Sequence, residues 1–203
     1  MPAAQAARPL HIGFFDSVYA ATPEERDPWL ARTVEVGAHT VRIDIGWVAP
    51  QGSSRTAGFD ARNPADPHYD FTRADASIVA ARGRGLQVLA SFTGGPAWAD
   101  GGGRPRSVAP GTWKPSPRAL EDYGAALARR YSGTFPDPAR PGQTLPKVKA
   151  FQVWNEPNLA KYLNPQWSGS RATSPKVYRA MLNGFYRGVK SVGSNALVVT
   201  ACD

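Results

Sequence analysis

Apolar runs alternate along the chain with segments whose apolar positions recur at helical spacing. The runs predict five strands, at 10–17, 40–47, 86–93, 148–154 and 197–203. The segments between them predict four helices, two at 27–36 and 72–82 and two that begin at Ser116-Pro117 and Ser174-Pro175. Strands that alternate with helices indicate an α/β fold with a parallel sheet and right-handed crossovers.

The start of the first helix has two interpretations. Asp27 is a suitable N-cap, with Pro28 in the first helical turn. Thr22-Pro23 offers the same chemistry five residues earlier. The pattern leaves both starts open.

The connections favour a (β/α)8 TIM barrel. Those that follow strands two, three and four are long, whereas the entries around Gly37 and Gly85 take only a few residues. An open doubly wound sheet would place a glycine fingerprint after strand one, where this chain has 14–17, Phe-Phe-Asp-Ser. Each strand–helix unit takes about forty residues and a closed barrel needs eight. We therefore expect 10–203 to be the N-terminal portion of a barrel, truncated to about five units with parallel strands.

Composition narrows the classes of partner. The formal charge of +8 comes from 24 basic and 16 acidic residues, but the basic residues are scattered, so we predict no nucleic-acid partner. No apolar run is long enough to span a bilayer. Cys202 is the single cysteine, so the sequence predicts no disulfide framework and no zinc cluster. We predict no other metal site and no cofactor.

Residues 1–9 are small and polar, and we expect a flexible N-terminal tail. Their Ala-Gln-Ala stretch resembles the end of a secretory signal, although no apolar segment precedes it. Export from the cytoplasm and an ordinary chain start are both open, and we suspect a secreted or extracytoplasmic protein.

The second strand carries two charges on one face. In 41–47, VRIDIGW, the apolar residues alternate with Arg42 and Asp44, which would point into the barrel. A buried charge is costly unless it is paired. The two residues are therefore either a structural ion pair or a wall of a substrate site.

The fourth strand runs into 153–158, Val-Trp-Asn-Glu-Pro-Asn. Alternation from Gln152 places Trp154 and Glu156 on the interior side at the C-terminal mouth, where barrel enzymes carry out their chemistry. A carboxyl group there is suited to protonating an acetal oxygen, and Asn155 is suited to binding a sugar hydroxyl. The competing interpretation is a solvent-exposed glutamate in a turn.

Most tryptophans follow predicted strands. Aromatic rings stack on the apolar faces of sugars, so their clustering at one rim indicates a carbohydrate cleft, although each alone more often packs in a core. The set is Trp47, Trp98, Trp113, Trp154 and Trp167.

Three segments, at 41–47, 69–99 and 149–165, resemble the clan A retaining glycoside hydrolases, nearest to family 39-like bacterial glycosidases. The resemblance implies hydrolysis of O-glycosidic bonds in a poly- or oligosaccharide, with Glu156 as the acid/base and Asn155 on the substrate 2-hydroxyl. It also implies that Arg42 supports the nucleophile carboxylate and that Trp98 lines the cleft.

The nucleophile of that clan is a glutamate at the end of strand seven, beyond the five strands predicted here. The carboxylates left for such a role are Asp16, Asp44 and Asp203, none of them at the family's position. We therefore expect the isolated chain to be inactive. The alternative is a non-catalytic carbohydrate-binding half-barrel that self-associates through its exposed edges at strands one and five.

Overall fold

The structure is a computed structural model that describes residues 11–201. The predicted tail at 1–9, the start of the first strand at Leu10, Cys202 and Asp203 lie outside the described residues. Within 11–201, no helix is long and apolar enough to cross a membrane.

The described chain forms a five-stranded parallel sheet and a small antiparallel hairpin. The sheet order is β1-β2-β3-β4-β7, with neighbouring strands all parallel. Its strands are β1 (Gly13–Phe15), β2 (Thr40–Asp44), β3 (Gln87–Phe92), β4 (Ala150–Val153) and β7 (Leu197–Thr200). The hairpin, β5 (Trp167–Ser168) with β6 (Arg171–Ala172), lies in the loop after β4.

Four α-helices accompany the sheet: α1 (Pro23–Glu35), α2 (Thr72–Gly83), α3 (Pro117–Arg130) and α4 (Ser174–Ser191). Two short 3-10 helices follow β1 and β3, at Ser17–Ala20 and Ala97–Ala99. The helix predicted at 72–82 agrees with α2. The helix starts predicted at Ser116-Pro117 and Ser174-Pro175 agree with those of α3 and α4.

The start of α1 is at Thr22-Pro23, and the Asp27 alternative is wrong. Thr22 precedes the helix, Pro23 takes the first position and two glutamates follow in the first turn, where negative charge is favourable. Asp27 instead forms ion pairs with Arg26 at 2.8 Å and with Arg84 at 3.3 Å.

Strand register assigns each side chain to one of two faces. Directly paired residues of parallel strands point to the same side, so the pairs Phe15–Arg42 and Asp44–Ser91 share one face. We call this the inner face, and its members are mostly half-exposed on β2. The helices cover the opposite, outer face, where Val41 and Ile43 are buried.

The outer face contains the core. Phe92 of β3 contacts Tyr123 of α3 edge-on at 5.2 Å and Phe185 of α4 at 5.1 Å between ring centroids. The helices α3 and α4 approach closely because glycine occupies their crossing. A Cβ added at Gly188 would lie 1.9 Å from the carbonyl oxygen of Glu121.

Candidate functional site

The chain turns sharply where β4 ends. The strand stops at Val153, and Trp154 and Glu156 then adopt left-handed backbone conformations, with φ of 74° and 35°. Such conformations are unfavourable for residues other than glycine and persist only where surrounding contacts hold them, commonly at functional sites. Here the contacts include the Leu159 N–H bond to the Glu156 carbonyl at 3.0 Å.

The turn moves Trp154 to the opposite side from the one that strand alternation predicts. Its ring is fully buried and contacts Phe92 of the outer face edge-on at 6.3 Å. Its Nε1 donates to the Tyr162 carbonyl at 2.9 Å. Trp154 therefore packs in the core beneath the turn, and the prediction that its ring lies on the interior side of the barrel is wrong.

The Asn155 side chain lies on the inner face, where strand alternation predicts Trp154. Its Oδ1 accepts from Nη2 of Arg42 at 2.8 Å, and its Nδ2 donates to Oε2 of Glu156 at 3.0 Å. The guanidinium, the amide and the carboxyl group thus form one hydrogen-bonded chain across β2 and β4. The structure brings together three of the residues predicted for the site.

Arg42 is not paired with Asp44. Its Nε donates to Oγ of Ser91 at 3.0 Å, and its guanidinium lies 4.1 Å from the centre of the Phe15 ring. The structural ion pair that the sequence left open therefore does not form. Sequence reasoning missed both Ser91 and Phe15, because their proximity to Arg42 depends on the register between strands.

Asp44 is half-buried on β2, and its Oδ1 accepts from the Gly46 N–H at 3.1 Å. Burial raises the pKa of its carboxyl group, while the Gly46 hydrogen bond and the charge of Arg42 partly offset the effect. A cavity of about 380 Å³ adjoins it, with Arg73 and Thr93 in its lining. Asp44 therefore lies beside the chain of Arg42, Asn155 and Glu156 without being hydrogen-bonded to it.

The tryptophans divide between the core and the rim. Trp47 is buried and stacks on Tyr123 at 5.3 Å between centroids, so it lies in the core and not at the predicted rim. Trp98 is half-buried, and its Nε1 donates to the Pro50 carbonyl at 2.8 Å. Trp167 on the hairpin is 63% exposed.

Two long loops form a joined wall beside the site. The loop between β3 and α3 is closed on itself by the Gly101 N–H bond to the Trp113 carbonyl at 2.8 Å. It is tied to the loop after β4 by the Lys114 N–H bond to the Asn164 carbonyl and by the Asn164 N–H bond to the Thr112 carbonyl, both at 2.8 Å. The wall therefore holds its side chains at fixed positions at the strand C-termini.

Two other features bear on ligands. Among residues 11–201, no group of three or more histidine, cysteine, aspartate or glutamate side chains could hold a metal ion. A cavity of about 700 Å³ lies on the helix side, with Phe71, Asp75 and Arg130 in its lining. Asp75 and Arg130 there bond to each other, so the convergent polar groups of the inner face make the better site.

Solved structures that share this fold include proteins described as a glucosidase and as a glycoside hydrolase. The chain superposes on Fpglu1 from Fervidobacterium pennivoraus with a TM-score of 0.60 and 18% identity, over 86% of this chain and 40% of that one. It superposes on a glucosidase from Croceicoccus marinus with a TM-score of 0.57 and 17% identity, over 94% and 36%. A family 39 glycoside hydrolase from Bacteroides cellulosilyticus WH2 gives 0.52 and 19%, over 95% and 31%.

These likenesses establish the fold. The predicted barrel-type α/β architecture is confirmed, and so is the resemblance to clan A glycoside hydrolases at the level of structure. The chain spans less than half the length of the three proteins. No protein-family model and no curated protein matches the chain.

Proposed function

We propose that this chain is part of a retaining O-glycosidase that acts on a poly- or oligosaccharide, with Glu156 as its acid/base. The observation that carries the proposal is the hydrogen-bonded chain from Arg42 through Asn155 to Glu156 at the C-terminal ends of β2 and β4. Active sites of barrel enzymes lie at that end of the strands. The glycosidase neighbours support the reaction class.

In this mechanism Glu156 protonates the oxygen of the leaving sugar and then deprotonates the water that hydrolyses the glycosyl–enzyme intermediate. Arg42 fixes the Asn155 amide so that one N–H points at Glu156. The second N–H of the same nitrogen is then available to a sugar hydroxyl oxygen.

A retaining reaction also needs a nucleophilic carboxylate about 5–5.5 Å from the acid/base. We propose that a part of the whole protein outside residues 1–203 supplies it, in keeping with the partial coverage of the glycosidase neighbours. On this basis the isolated chain binds glycan but does not turn it over.

Binding and turnover test the two parts of this proposal separately. Binding of oligosaccharides of different composition is followed by the shifts of backbone amide NMR signals during titration, with Asn155→Ala as the variant and Asn158→Ala, in an exposed position of the same loop, as the control. We expect Asn155→Ala to weaken binding by roughly tenfold, the equivalent of one hydrogen bond, and Asn158→Ala to leave it unchanged. Failure of every glycan to bind would overturn the assignment to carbohydrate.

Turnover is measured with aryl β-glycosides and the 203-residue chain. We expect none above the background of the Glu156→Gln variant. Turnover that Glu156→Gln abolishes would contradict the proposal that the nucleophile lies outside the chain.

A second candidate function is a non-catalytic, carbohydrate-binding half-barrel that dimerises. It is favoured by an apolar groove of about 570 Å³ between β1 and α1, with Phe14, Trp29 and Val36 in its lining. All three side chains are exposed, as is Leu197 at the other edge of the sheet. Sedimentation over a range of concentrations tests it. A dimer that Trp29→Ser dissociates would favour this function, and a monomer at all concentrations would exclude the dimer.

A further inference from the structure

The orientation of the Asn155 amide is determined by Arg42. A guanidinium group has only donors, so the amide atom within 2.8 Å of Nη2 must be the oxygen. The nitrogen then points to Glu156, where Nδ2 and Oε2 are 3.0 Å apart. A shift of Arg42 would release the amide to rotate, and the donor to Glu156 would be lost.

Arg42 is held in turn by Ser91. The Nε atom donates to Ser91 Oγ at 3.0 Å, while Nη2 of the same guanidinium donates to Asn155. Because the guanidinium is planar and rigid, fixing the direction of the Nε–H bond also fixes the direction in which Nη2 points. The Ser91 hydroxyl is the side-chain partner that determines this direction.

Ser91 is well placed to be a rigid anchor. It lies on β3, between β2 and β4, and is 1% exposed. Its backbone is paired with Asp44 on one side and Gln152 on the other. Its hydroxyl donates to the Ile43 carbonyl at 3.4 Å, which leaves its lone pairs toward Arg42.

Phe15 confines Arg42 from a third direction. Its ring centre lies 4.1 Å from the guanidinium, within the range of a cation–π contact. The ring is 53% exposed, so the contact is weaker than a buried one. Ser91 is therefore the more important of the two.

We propose that Ser91 is a positioning residue of this site, which acts through Arg42 to hold the Asn155 amide in the orientation that donates to Glu156. Its relevance to catalysis rests on the proposed function, but the positioning itself concerns the ligand-free chain. The positioning by Ser91 and the proposed function can therefore fail independently.

NMR spectroscopy of the ligand-free chain tests the positioning. The observables are the exchange rate of the Arg42 Nε–H proton and the separation of the two Asn155 Nδ2 proton signals. In Ser91→Ala we expect the Arg42 proton to exchange roughly tenfold faster, as the loss of one hydrogen bond implies, and the two Asn155 signals to converge. Ser91→Thr keeps the hydroxyl and should restore both observables.

Thr33→Val is the matched control. It removes another buried hydroxyl, which contacts Tyr19 and the Trp29 carbonyl on α1 and lies outside the chain of Arg42, Asn155 and Glu156. We expect it to leave the Arg42 and Asn155 signals unchanged. If both variants changed those signals alike, the effect would be general loosening and the proposal would be wrong.

Unchanged signals in Ser91→Ala would also overturn the proposal. If Ser91→Thr destabilises the sheet, the comparison of Ser91→Ala with Thr33→Val still tests the proposal. A glycan titration of the same samples reports on the proposed function independently, since failure to bind glycan leaves the ligand-free result intact.

Discussion

The two faces of the parallel sheet differ in how they are covered. The outer face packs against the helices, and its central residues Ile43, Phe92 and Phe151 are almost completely buried. The inner face presents the half-exposed side chains of Arg42 and Asp44 on β2, beside the buried Ser91 of β3. The outer face therefore contributes most of the stability, whereas the inner face holds polar groups in positions that serve a ligand better than they serve folding.

The charged groups of the two faces show the same difference. On the helix side, Arg130 and Asp75 are buried and bonded to each other, with further bonds from Tyr131 to Asp75 and from Arg130 to the Pro64 carbonyl. On the inner face, Arg42 has a hydroxyl, an amide and an aromatic ring as its partners. Because these partners carry no negative charge, the Arg42 guanidinium is able to attract an anionic group.

Breaking the buried pair should have the largest effect. In Asp75→Asn the charge of Arg130 stays buried without its carboxylate, and we expect the free energy of unfolding to fall by about 3–5 kcal/mol. Urea denaturation measures it. The control is Arg118→Gln, which removes an exposed partner of Glu121 and should cost less than about 1 kcal/mol. Equal costs for both variants would contradict the comparison.

A matched pair of leucines sharpens the comparison. Leu120 on α3 is fully buried on the helix side, whereas Leu197 at the edge of the sheet is 66% exposed. We expect Leu120→Ala to cost about 2–5 kcal/mol, since it leaves a cavity. Leu197→Ala should stay within about 0.5 kcal/mol of the parent chain.

The same urea experiment measures both leucine variants. A large cost for Leu197→Ala would mean that the inner side is packed in solution, for instance against a second copy. Repeating the measurement at several protein concentrations separates that case, because a dimer becomes more stable as concentration rises.

The fold could be predicted from the sequence because its local sequence patterns agree with its packing. The stripe of Leu120, Tyr123 and Leu127 predicts one buried side of α3, and all three are buried. Helix starts were readable where proline follows a serine, as at Ser116, whose side chain accepts from the Ala119 N–H at 3.3 Å. The start of α1 was ambiguous because two Xaa-Pro pairs compete there, and the glutamates that follow Pro23 favour the earlier one.

The candidate site was readable only in part. Asn155, Glu156 and Arg42 could be named from one strand at a time. The partners of Arg42 could not be, because the register that brings Ser91 and Phe15 to it is set by pairing between strands. Strand alternation also fails at Trp154, where a left-handed residue reverses the side on which the ring lies.

Asp44 and Asp70 compare a carboxyl group of the inner face with one at a helix start. Burial raises the pKa of Asp44 above its ordinary value of 3.8. Hydrogen bonds from Thr72 lower the pKa of Asp70 below the same value. The Asp44 charge therefore opposes folding above about pH 4, and the Asp70 charge favours it.

The pH dependence of stability should accordingly change in opposite directions in the two asparagine variants. Asp44→Asn keeps an oxygen for the Gly46 N–H but removes the charge, so we expect a gain of about 0.5 kcal/mol at pH 7. That gain should shrink as pH falls through the raised pKa of Asp44 and vanish below about pH 3.8, where the carboxyl group is protonated in both states. Asp70→Asn should lose a smaller amount at pH 7, because Asp70 is exposed and solvent screens its charge, and the loss should disappear only below the lowered pKa of Asp70. Urea denaturation from pH 3 to pH 8 measures both, and a loss of stability at pH 7 in Asp44→Asn would show that its charge is compensated in the folded chain.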